Sequence, residues 1–302
     1  MRILNVPRGQ DTGACGIRTK WAFGKYRPDW TYDMVGGSRN YMITPVDRPR
    51  HEMLDLWQRA DVVHFRNDFA HQERIGAPDR PAVLHHHGTH FRSLHESLNA
   101  EAARRRAVQL VSTLDLWLIH PDTTEWLPSP YDLEWLAGFR QPHEDDGVLR
   151  IAHAPTDRRI KSTQPLLAAV DRLRAEGMPV ELIMIEKAEW GDCLRLKGTA
   201  DVYFDQVILG YGNNAIEAWG MGIPVIAGGA PGTLDEMVRR FGSLPFIQAD
   251  EGTIYAALVQ AADPIERKEW ADRGLTHVQQ WHDEKAVVDQ LADVYTRAVE
   301  RW

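Results

Sequence analysis

GYGNNAIEAWGMGIPVIAGG, residues 210–229, sets glycines, two asparagines and one glutamate between two apolar runs. The run before it, DVYFDQV at 201–207, and the run that closes it, PVIAGG at 224–229, have the composition of buried strands. The segment therefore predicts a strand, a tight glycine turn, a short helix and a second strand. In an α/β fold this arrangement builds a ligand site at the carboxyl end of a strand.

Apolar runs of the same kind recur along the chain and alternate with longer, helix-like stretches. This alternation predicts parallel sheets covered by helices on both faces, an α/β fold of two doubly wound domains in tandem. The runs are RILNVP (2–7), DVVHF (61–65), AVLHHH (82–87) and AVQLVST (107–113), followed by RIAHAP (150–155), VELIMIE (180–186), the two runs above and LPFIQ (244–248).

The polar, turn-prone stretch FRQPHEDDGVLR separates the two series and places a domain boundary near residue 145. We predict a first Rossmann-like domain over 1–145 and a second over 146–280. After Pro264 the pattern is helical to the end of the chain, and we expect residues 281–302 to pack back toward the first domain.

Length and composition exclude several classes of protein. The 302 residues contain no apolar run near the roughly 18 needed to span a bilayer, so we expect no membrane span and a cytoplasmic location. Cys15 and Cys193 are too few for a disulfide framework and lack metal-ligand spacing. A net charge of −8 disfavours a general nucleic-acid binder, although a local basic cleft stays possible.

Residues 210–215, G-Y-G-N-N-A, fit the G-x-G-x-x-G/A dinucleotide fingerprint, but the strand that follows ends in IAGGAPG without the expected acid. Glu217 offers a better explanation, because it lies on the same helix face as Asn213 and can accept two hydrogen bonds from a ribose. Gly212 would let the backbone approach the ligand, Asn214 lies in the same turn, and the helix N-terminus favours phosphate. The alternative is a surface glutamate on an amphipathic helix.

HAPTDRRIKST, residues 153–163, follows the first strand of the second domain. Arg158, Arg159 and Lys161 crowd a turn before a helix, where Arg can grip a diphosphate bidentately and Lys can act as a point charge. The alternative is a solvated basic loop.

PAVLHHHGTHFR in the first domain contains three consecutive histidines. His85 and His87 share one face of a strand and His86 takes the other, so a metal site is not expected. His87 ends the strand and faces the predicted crevice. Gly13 and Gly16 follow the opening strand but lack the Gly-Lys-Ser/Thr ending of a P-loop.

Long phrases in both halves carry a resemblance that covers most of the chain. The chain resembles the GT-B glycosyltransferases, and more narrowly the retaining family 4 that includes sucrose-phosphate synthases and bacterial mannosyltransferases. The phrases are ADVVHFRNDF, PAVLHHHGTHFR and VSTLDLWLIHPDTTEWLPSPYDLE in the first half, and RIAHAPTDRRIKSTQPLLAAVDRL and DVYFDQVILGYGNNAIEAWGMGIPVIA in the second. The resemblance implies two Rossmann-like domains facing a central cleft, a nucleoside-diphosphate sugar donor bound by the second, an acceptor bound by the first, and no metal or other cofactor.

The resemblance also implies roles for particular residues. His87, Arg158 and Lys161 are the expected catalytic residues, His87 near the transferred sugar and the two cations at the donor diphosphate. The expected donor-binding residues are Gly13, Gly16, Arg158, Lys161, Gly212, Asn213, Asn214 and Glu217, with Glu217 matching the second acid of the family's E-x7-E motif. Leu209 stands where the first acid would be, and Asp205 lies four residues earlier, so whether Asp205 replaces that acid stays open.

The predicted activity is transfer of a sugar, hexosyltransferase-type, from a nucleoside-diphosphate sugar to an acceptor hydroxyl, with retention and without metal. One alternative is a nucleotide-sugar 2-epimerase, and another is a nucleotide-sugar-binding protein without transferase activity. Saccharides or glycoconjugates are the expected acceptors, with a modified DNA base or a protein side chain as alternatives. The sequence gives neither the acceptor, the donor base nor the oligomeric state.

Overall fold

The computed structural model describes residues 1–8, 14–35, 50–144 and 146–302. The chain divides into two compact units, of which the first comprises residues 1–131 and 283–302 and the second residues 132–282. The C-terminal helix thus belongs to the first unit. Residue 145, where the sequence analysis places the domain boundary, lies outside the described residues.

Strands and helices alternate along both units. The strands are β1 (Arg2–Pro7), β2 (Thr31–Met34), β3 (Val62–Arg66), β4 (Ala82–His86), β5 (Val108–Val111), β6 (Thr124–Trp126), β7 (Leu149–His153), β8 (Val180–Met184), β9 (Val202–Phe204), β10 (Val225–Ala227) and β11 (Ile247–Gln248). The helices are α1 (Cys15–Tyr26), α2 (Met53–Arg59), α3 (Ala70–Ile75), α4 (Gly88–Arg104), α5 (Leu114–Trp117), α6 (Leu133–Ala137), α7 (Thr163–Ala175), α8 (Trp190–Lys197), α9 (Asn213–Gly220), α10 (Pro231–Phe241), α11 (Ile254–Ala262), α12 (Pro264–Trp281) and α13 (Glu284–Glu300).

Each unit is built on one parallel sheet, with strand order β2-β1-β3-β4-β5-β6 in the first and β11-β10-β9-β7-β8 in the second. In both sheets the chain moves to one side of its opening strand and then returns to the other side. The direction of winding therefore reverses between β1 and β3, and again between β7 and β9. Ligands of open α/β sheets bind at the carboxyl ends of the strands at this reversal. The two Rossmann-like units are the architecture that the sequence predicts.

Alternating residues of the first sheet bury its two faces. Ile3, Val62 and Val83 pack with apolar residues of α13, including Val287 and Leu291. Their strand neighbours, such as Leu4, Val63 and Leu84, form a separate core on the opposite face. Each fully buried aliphatic side chain stabilises the fold by about 1.5–3 kcal/mol. The period-2 burial explains why these strands appear in the sequence as continuous apolar runs.

The second sheet has its own core, formed by Ile151, Val202 and Ile226 with residues of α7 and α11. His153, at the end of β7, is completely buried. Its Nδ1–H donates to the carbonyl oxygen of Phe204 at 2.9 Å, so its Nε2 accepts from the Thr163 hydroxyl at 2.8 Å. This imidazole therefore joins the ends of β7 and β9 to the start of α7.

The short strands β2 and β6 lack a distinct apolar run and were not predicted. The region that is predicted to be helical after Pro264 consists of two helices, α12 and α13, and the second begins directly after Asp283. Its carboxylate accepts from the backbone N–H groups of Lys285 and Ala286 at 3.1 Å each, which caps α13.

Gly228, directly after β10, provides a test of this packing. A Cβ there would overlap the backbone carbonyl of Ala249, whereas a Cβ on Gly232, in the first turn of α10, meets no atom within 4 Å. We expect Gly228→Ala to lower the free energy of unfolding by about 1–3 kcal/mol. Gly232→Ala should leave it unchanged or raise it by up to about 1 kcal/mol, because alanine favours the helix. Urea unfolding followed by circular dichroism measures both, and equal effects would contradict the packing at Gly228.

Candidate functional site

The winding reversal of the second sheet brings Lys161 and Asp205 together. Lys161 ends the turn after β7, and Asp205 is the first residue after β9. The Lys161 Nζ lies 2.5 Å from Asp205 Oδ1, and the backbone N–H of Gly212 donates to Asp205 Oδ2 at 2.8 Å. The Asp205 side chain is fully buried, whereas that of Lys161 retains 14% exposure. The carboxylate thus holds a lysine at the one place in the sheet where fold geometry favours a ligand.

The turn after β7 is shaped by its own polar groups. Asp157 Oδ1 accepts from the backbone N–H groups of Arg159 and Ile160 at 2.9 and 3.2 Å, an Asx turn. Ser162 follows with a left-handed backbone, φ +50°, and α7 begins at the next residue. The turn therefore aims Lys161 toward β9.

Arg158 lies on the exposed side of the same turn. Its Nε and Nη2 donate to the two carboxylate oxygens of Glu186 at 2.7 Å each, a bidentate pair. This hydrogen bonding raises the pKa of Arg158 and lowers that of Glu186. The two cations predicted to bind a diphosphate are therefore both held by carboxylates in the free protein.

The glycines and asparagines after β9 form the entry to α9. Gly210 adopts φ +87°, a left-handed conformation that favours glycine. At Gly212 a Cβ would meet Asp205 Oδ2 and Lys161 Nζ only at 3.6 and 3.7 Å. Gly212 lies beside the Lys161–Asp205 pair, and Asn213 and Asn214 follow it in the first turn of α9, a helix whose dipole favours anions at this end.

Glu217 is buried inside this unit, with 5% exposure. Trp190 Nε1 donates to its Oε1 at 3.0 Å, and the Nζ of Lys197 lies 2.5 Å from its Oε2. Neither partner is predicted from the sequence. A signal was present, since Lys197 occupies the position in α8 that continues the buried face of Trp190 and Leu194.

In the first unit, Arg66 and His87 lie at the carboxyl ends of β3 and β4, next to the winding reversal. Arg66, at the end of β3, is 5% exposed. Its Nε donates to Asn5 Oδ1 and its Nη1 to His87 Nε2, both at 3.1 Å. Its Nη2 lies 3.4 Å from the carbonyl oxygen of Cys15 and from the Thr19 hydroxyl, both in α1. A charged residue closing an otherwise apolar run is the sequence signal for this arginine.

These contacts fix the protonation of His87. A guanidinium only donates hydrogen bonds, so Nε2 of His87 accepts and the proton of the neutral ring lies on Nδ1. Burial, followed by the nearby charge of Arg66, holds the pKa of His87 well below its usual value. The half-buried His87 can therefore offer an Nδ1–H donor to a ligand. It is not placed to act as a base through Nε2.

The other two histidines of the triplet diverge as strand geometry predicts. The rings of His85 and His87 lie 4.3 Å apart on one side of β4. His86 faces the other side, where it stacks on Phe91 at 4.0 Å and pairs with Gln109 at 3.1 Å. Among residues 1–8, 14–35, 50–144 and 146–302, no three His, Cys, Asp or Glu side chains are placed to hold a metal ion.

Two glycines, Gly13 and Gly16, are predicted to approach the substrate, and the structure describes only the second. Gly13 lies outside the described residues. Gly16 belongs to the first turn of α1 rather than to a loop, because Ala14 takes a left-handed conformation, φ +52°, and starts the helix at Cys15. In the part of the chain that the structure describes, no helix is long and apolar enough to cross a membrane.

Comparisons with known proteins identify the fold. No protein-family model and no curated protein matches the chain. An alpha-glucosyltransferase solved with UDP and a DNA 13-mer containing a central A:G mismatch aligns over 98% of this chain and 100% of its own, with a TM-score of 0.70 and 11% identity. Anabaena HepE in complex with UDP-glucose aligns over 98% and 100%, with a TM-score of 0.68 and 11% identity.

A predicted UDP-N-acetylglucosamine 2-epimerase from Listeria monocytogenes also has this architecture. It aligns over 100% of this chain and 97% of its own, with a TM-score of 0.58 and 12% identity. The fold is that of the GT-B glycosyltransferases. At these identities the likeness concerns the fold, so activity has to be argued from the site.

Proposed function

We propose that the protein is a glycosyltransferase that moves a sugar from a nucleoside-diphosphate sugar to an acceptor hydroxyl. The observation that carries this proposal is the Lys161–Asp205–Gly212 cluster at the winding reversal of the second sheet. A cation, a helix N-terminus and a nearby buried carboxylate form the set of groups that a nucleoside diphosphate needs. The UDP and UDP-glucose bound to proteins of the same fold support this choice of donor class.

The cations would act on the diphosphate by exchanging partners. On donor binding, Arg158 turns from Glu186 to a phosphate oxygen, and Lys161 shares its charge between Asp205 and the diphosphate. Fixed positive charge stabilises the negative charge that develops on the leaving diphosphate as the glycosidic bond breaks. We assign the ribose hydroxyls to Glu217. We assign Gly212, Asn213 and Asn214, at the amino end of α9, to donor binding.

The first unit would bind the acceptor. We assign His87 a hydrogen bond from Nδ1–H to a sugar hydroxyl, and we keep Gly13 and Gly16 as donor-binding candidates. Retention, hexosyl transfer, independence of metal and membership of family 4 are part of the proposal and rest on the sequence resemblance. The nucleotide sugar is the donor substrate, and no separate cofactor is invoked.

The 2-epimerase alternative is favoured by the Listeria neighbour. It would bind the same donor but release nucleotide without an acceptor. The remaining alternative is a nucleotide-sugar-binding protein, which would bind the donor without converting it to product. Saccharides and glycoconjugates are the acceptors to test first, followed by DNA, because one protein of the same fold was solved with a 13-mer DNA.

Calorimetric titration with UDP, GDP, ADP and dTDP, with and without EDTA, tests the donor site. We expect one nucleotide to bind, with the same affinity in the presence and absence of the chelator. Release of the nucleoside diphosphate from the corresponding nucleotide sugar should depend on an added acceptor. Absence of binding by all four, or binding of NAD instead, would overturn the proposal. Acceptor-independent release would favour the epimerase.

Glu186→Gln tests the exchange of partners at Arg158. We expect the affinity for the bound nucleoside diphosphate to rise about 2- to 5-fold, because an exposed ion pair is worth at most about 1 kcal/mol and its loss releases the guanidinium. Glu176→Gln is the matched control, since Glu176 pairs with Arg172 on the surface of α7. Weaker binding by Glu186→Gln alone would contradict the diphosphate role of Arg158.

A further inference from the structure

Lys197 is a lysine with no exposed side-chain surface. Its ammonium contacts Glu217 Oε2 at 2.5 Å, Asn214 Oδ1 at 2.9 Å and the Asn214 carbonyl oxygen at 3.4 Å. It also lies 4.8 Å from the centre of the Tyr203 ring. Every direction available to its three protons therefore leads toward α9 or the end of the sheet.

These contacts join three structural elements at the proposed donor site. Lys197 closes α8, Glu217 and Asn214 belong to α9, and the Asn214 amide donates to the carbonyl oxygen of Ala154, just after β7, at 3.4 Å. The lysine thus holds the amino end of α9 against the carboxyl end of β7. Trp190, also in α8, fixes the second oxygen of Glu217.

A buried ion pair of this kind is a poor way to gain stability alone. Desolvation of the two charges offsets much of their attraction, and well-packed apolar replacements are often neutral or stabilising. A carboxylate fixed in direction is, however, what recognition of a pair of hydroxyls requires. A carboxylate offers about four acceptor positions, two on each oxygen.

We infer that Lys197 is a positioning residue for nucleotide recognition: it holds the Glu217 carboxylate in the orientation in which it accepts the ribose hydroxyls. The inference rests on the proposed function, because it assigns a ribose to this carboxylate. It assigns Lys197 no contact with the ligand. The lysine acts through Glu217 and through the placement of α9.

The readout is the discrimination between ribose and deoxyribose. If Lys197 were merely structural, its replacement would weaken the binding of both nucleotides equally. Binding of UDP, GDP and ADP is compared with that of dUDP, dGDP and dADP by calorimetry. Wild-type protein should favour one ribonucleotide over its deoxy form about 10-fold, the size expected for a hydrogen bond to a charged group. Lys197→Met should reduce this preference to less than about 2-fold.

Two further variants keep the test decisive. Arg195→Met, on the exposed face of α8, should keep the full preference. Lys197→Met combined with Glu217→Gln removes both charges of this buried pair, so it should fold even if the single variant does not. Because it also removes the carboxylate, it should lose the preference, and a retained preference would exclude Glu217 as the ribose acceptor.

The outcomes separate the inference from the proposed function. If wild-type protein binds none of the six nucleotides, the proposed function fails and the inference with it. If wild-type protein binds but does not favour ribose, or if the folded Lys197 variants keep the wild-type ratio, only the inference fails.

Discussion

Acidification from pH 7 to pH 5 is expected to lower the free energy of unfolding by about 4 kcal/mol through two buried histidines alone. His86 and His153 have no exposed surface, and burial is the main cause that lowers the pKa of each to about 4. The free energy of unfolding of a typical domain is only about 5–15 kcal/mol, so this loss is a large share of it.

The direction follows from proton binding. In the unfolded chain each imidazole has a pKa near 6.5, so below that pH the unfolded state binds more protons than the folded state. Stability contributed by the neutral buried ring is therefore complete above pH 6.5 and is lost as the pH falls toward 4. Burial also lowers the pKa of His64, His85 and His277, which act in the same direction.

Urea unfolding at pH 7, 6 and 5 measures the effect. His153→Gln should remove about half of the pH dependence that the two histidines cause, even though it costs stability at pH 7 by loosening the Phe204 and Thr163 contacts. His51→Gln, at an exposed position, is the control and should leave the dependence unchanged. A His153 variant with the wild-type dependence would contradict the assignment.

The parallel sheets could be predicted because their strands are buried on both faces, which leaves continuous apolar runs in the sequence. β11 and β9, with two and three residues, were still found because their runs extend beyond the paired residues. β2 escaped notice because TYDM places an aspartate and a threonine among its four residues.

The position of the site was predictable, but the pairing of its charges was not. Strand order decides that the turn after β7 meets the residue after β9, and sequence spacing carries no information on that order. Lys161 therefore appeared as a free cation and Asp205 only as a possible substitute for a missing acid. Similarly, the spacing of α8 places Lys197 on its buried face, but it does not show that Lys197 meets Glu217.

Replacing Lys161 should have the largest effect on ligand binding. Lys161→Met alone leaves the fully buried Asp205 without its cation, which we expect to lower the free energy of unfolding by about 3–5 kcal/mol. Lys161→Met with Asp205→Asn removes both charges and keeps an acceptor for the Gly212 N–H. We expect this double variant to fold and to bind the cognate nucleoside diphosphate about 10- to 100-fold more weakly, the size of a hydrogen bond to a charged group.

Comparison with the nucleoside shows where the lost binding energy resided. Uridine, guanosine or adenosine lacks the phosphates, so its affinity should be the same for wild-type protein and for the double variant. Arg159→Met is the matched control, because Arg159 lies two residues before Lys161 and its side chain has no ion pair among the residues that the structure describes. If the double variant and Arg159→Met weaken diphosphate binding equally, overall positive charge rather than the geometry at the winding reversal binds the ligand. Equal weakening of nucleoside and diphosphate would instead mean that α9 has moved, since the Gly212 contact with residue 205 holds its amino end.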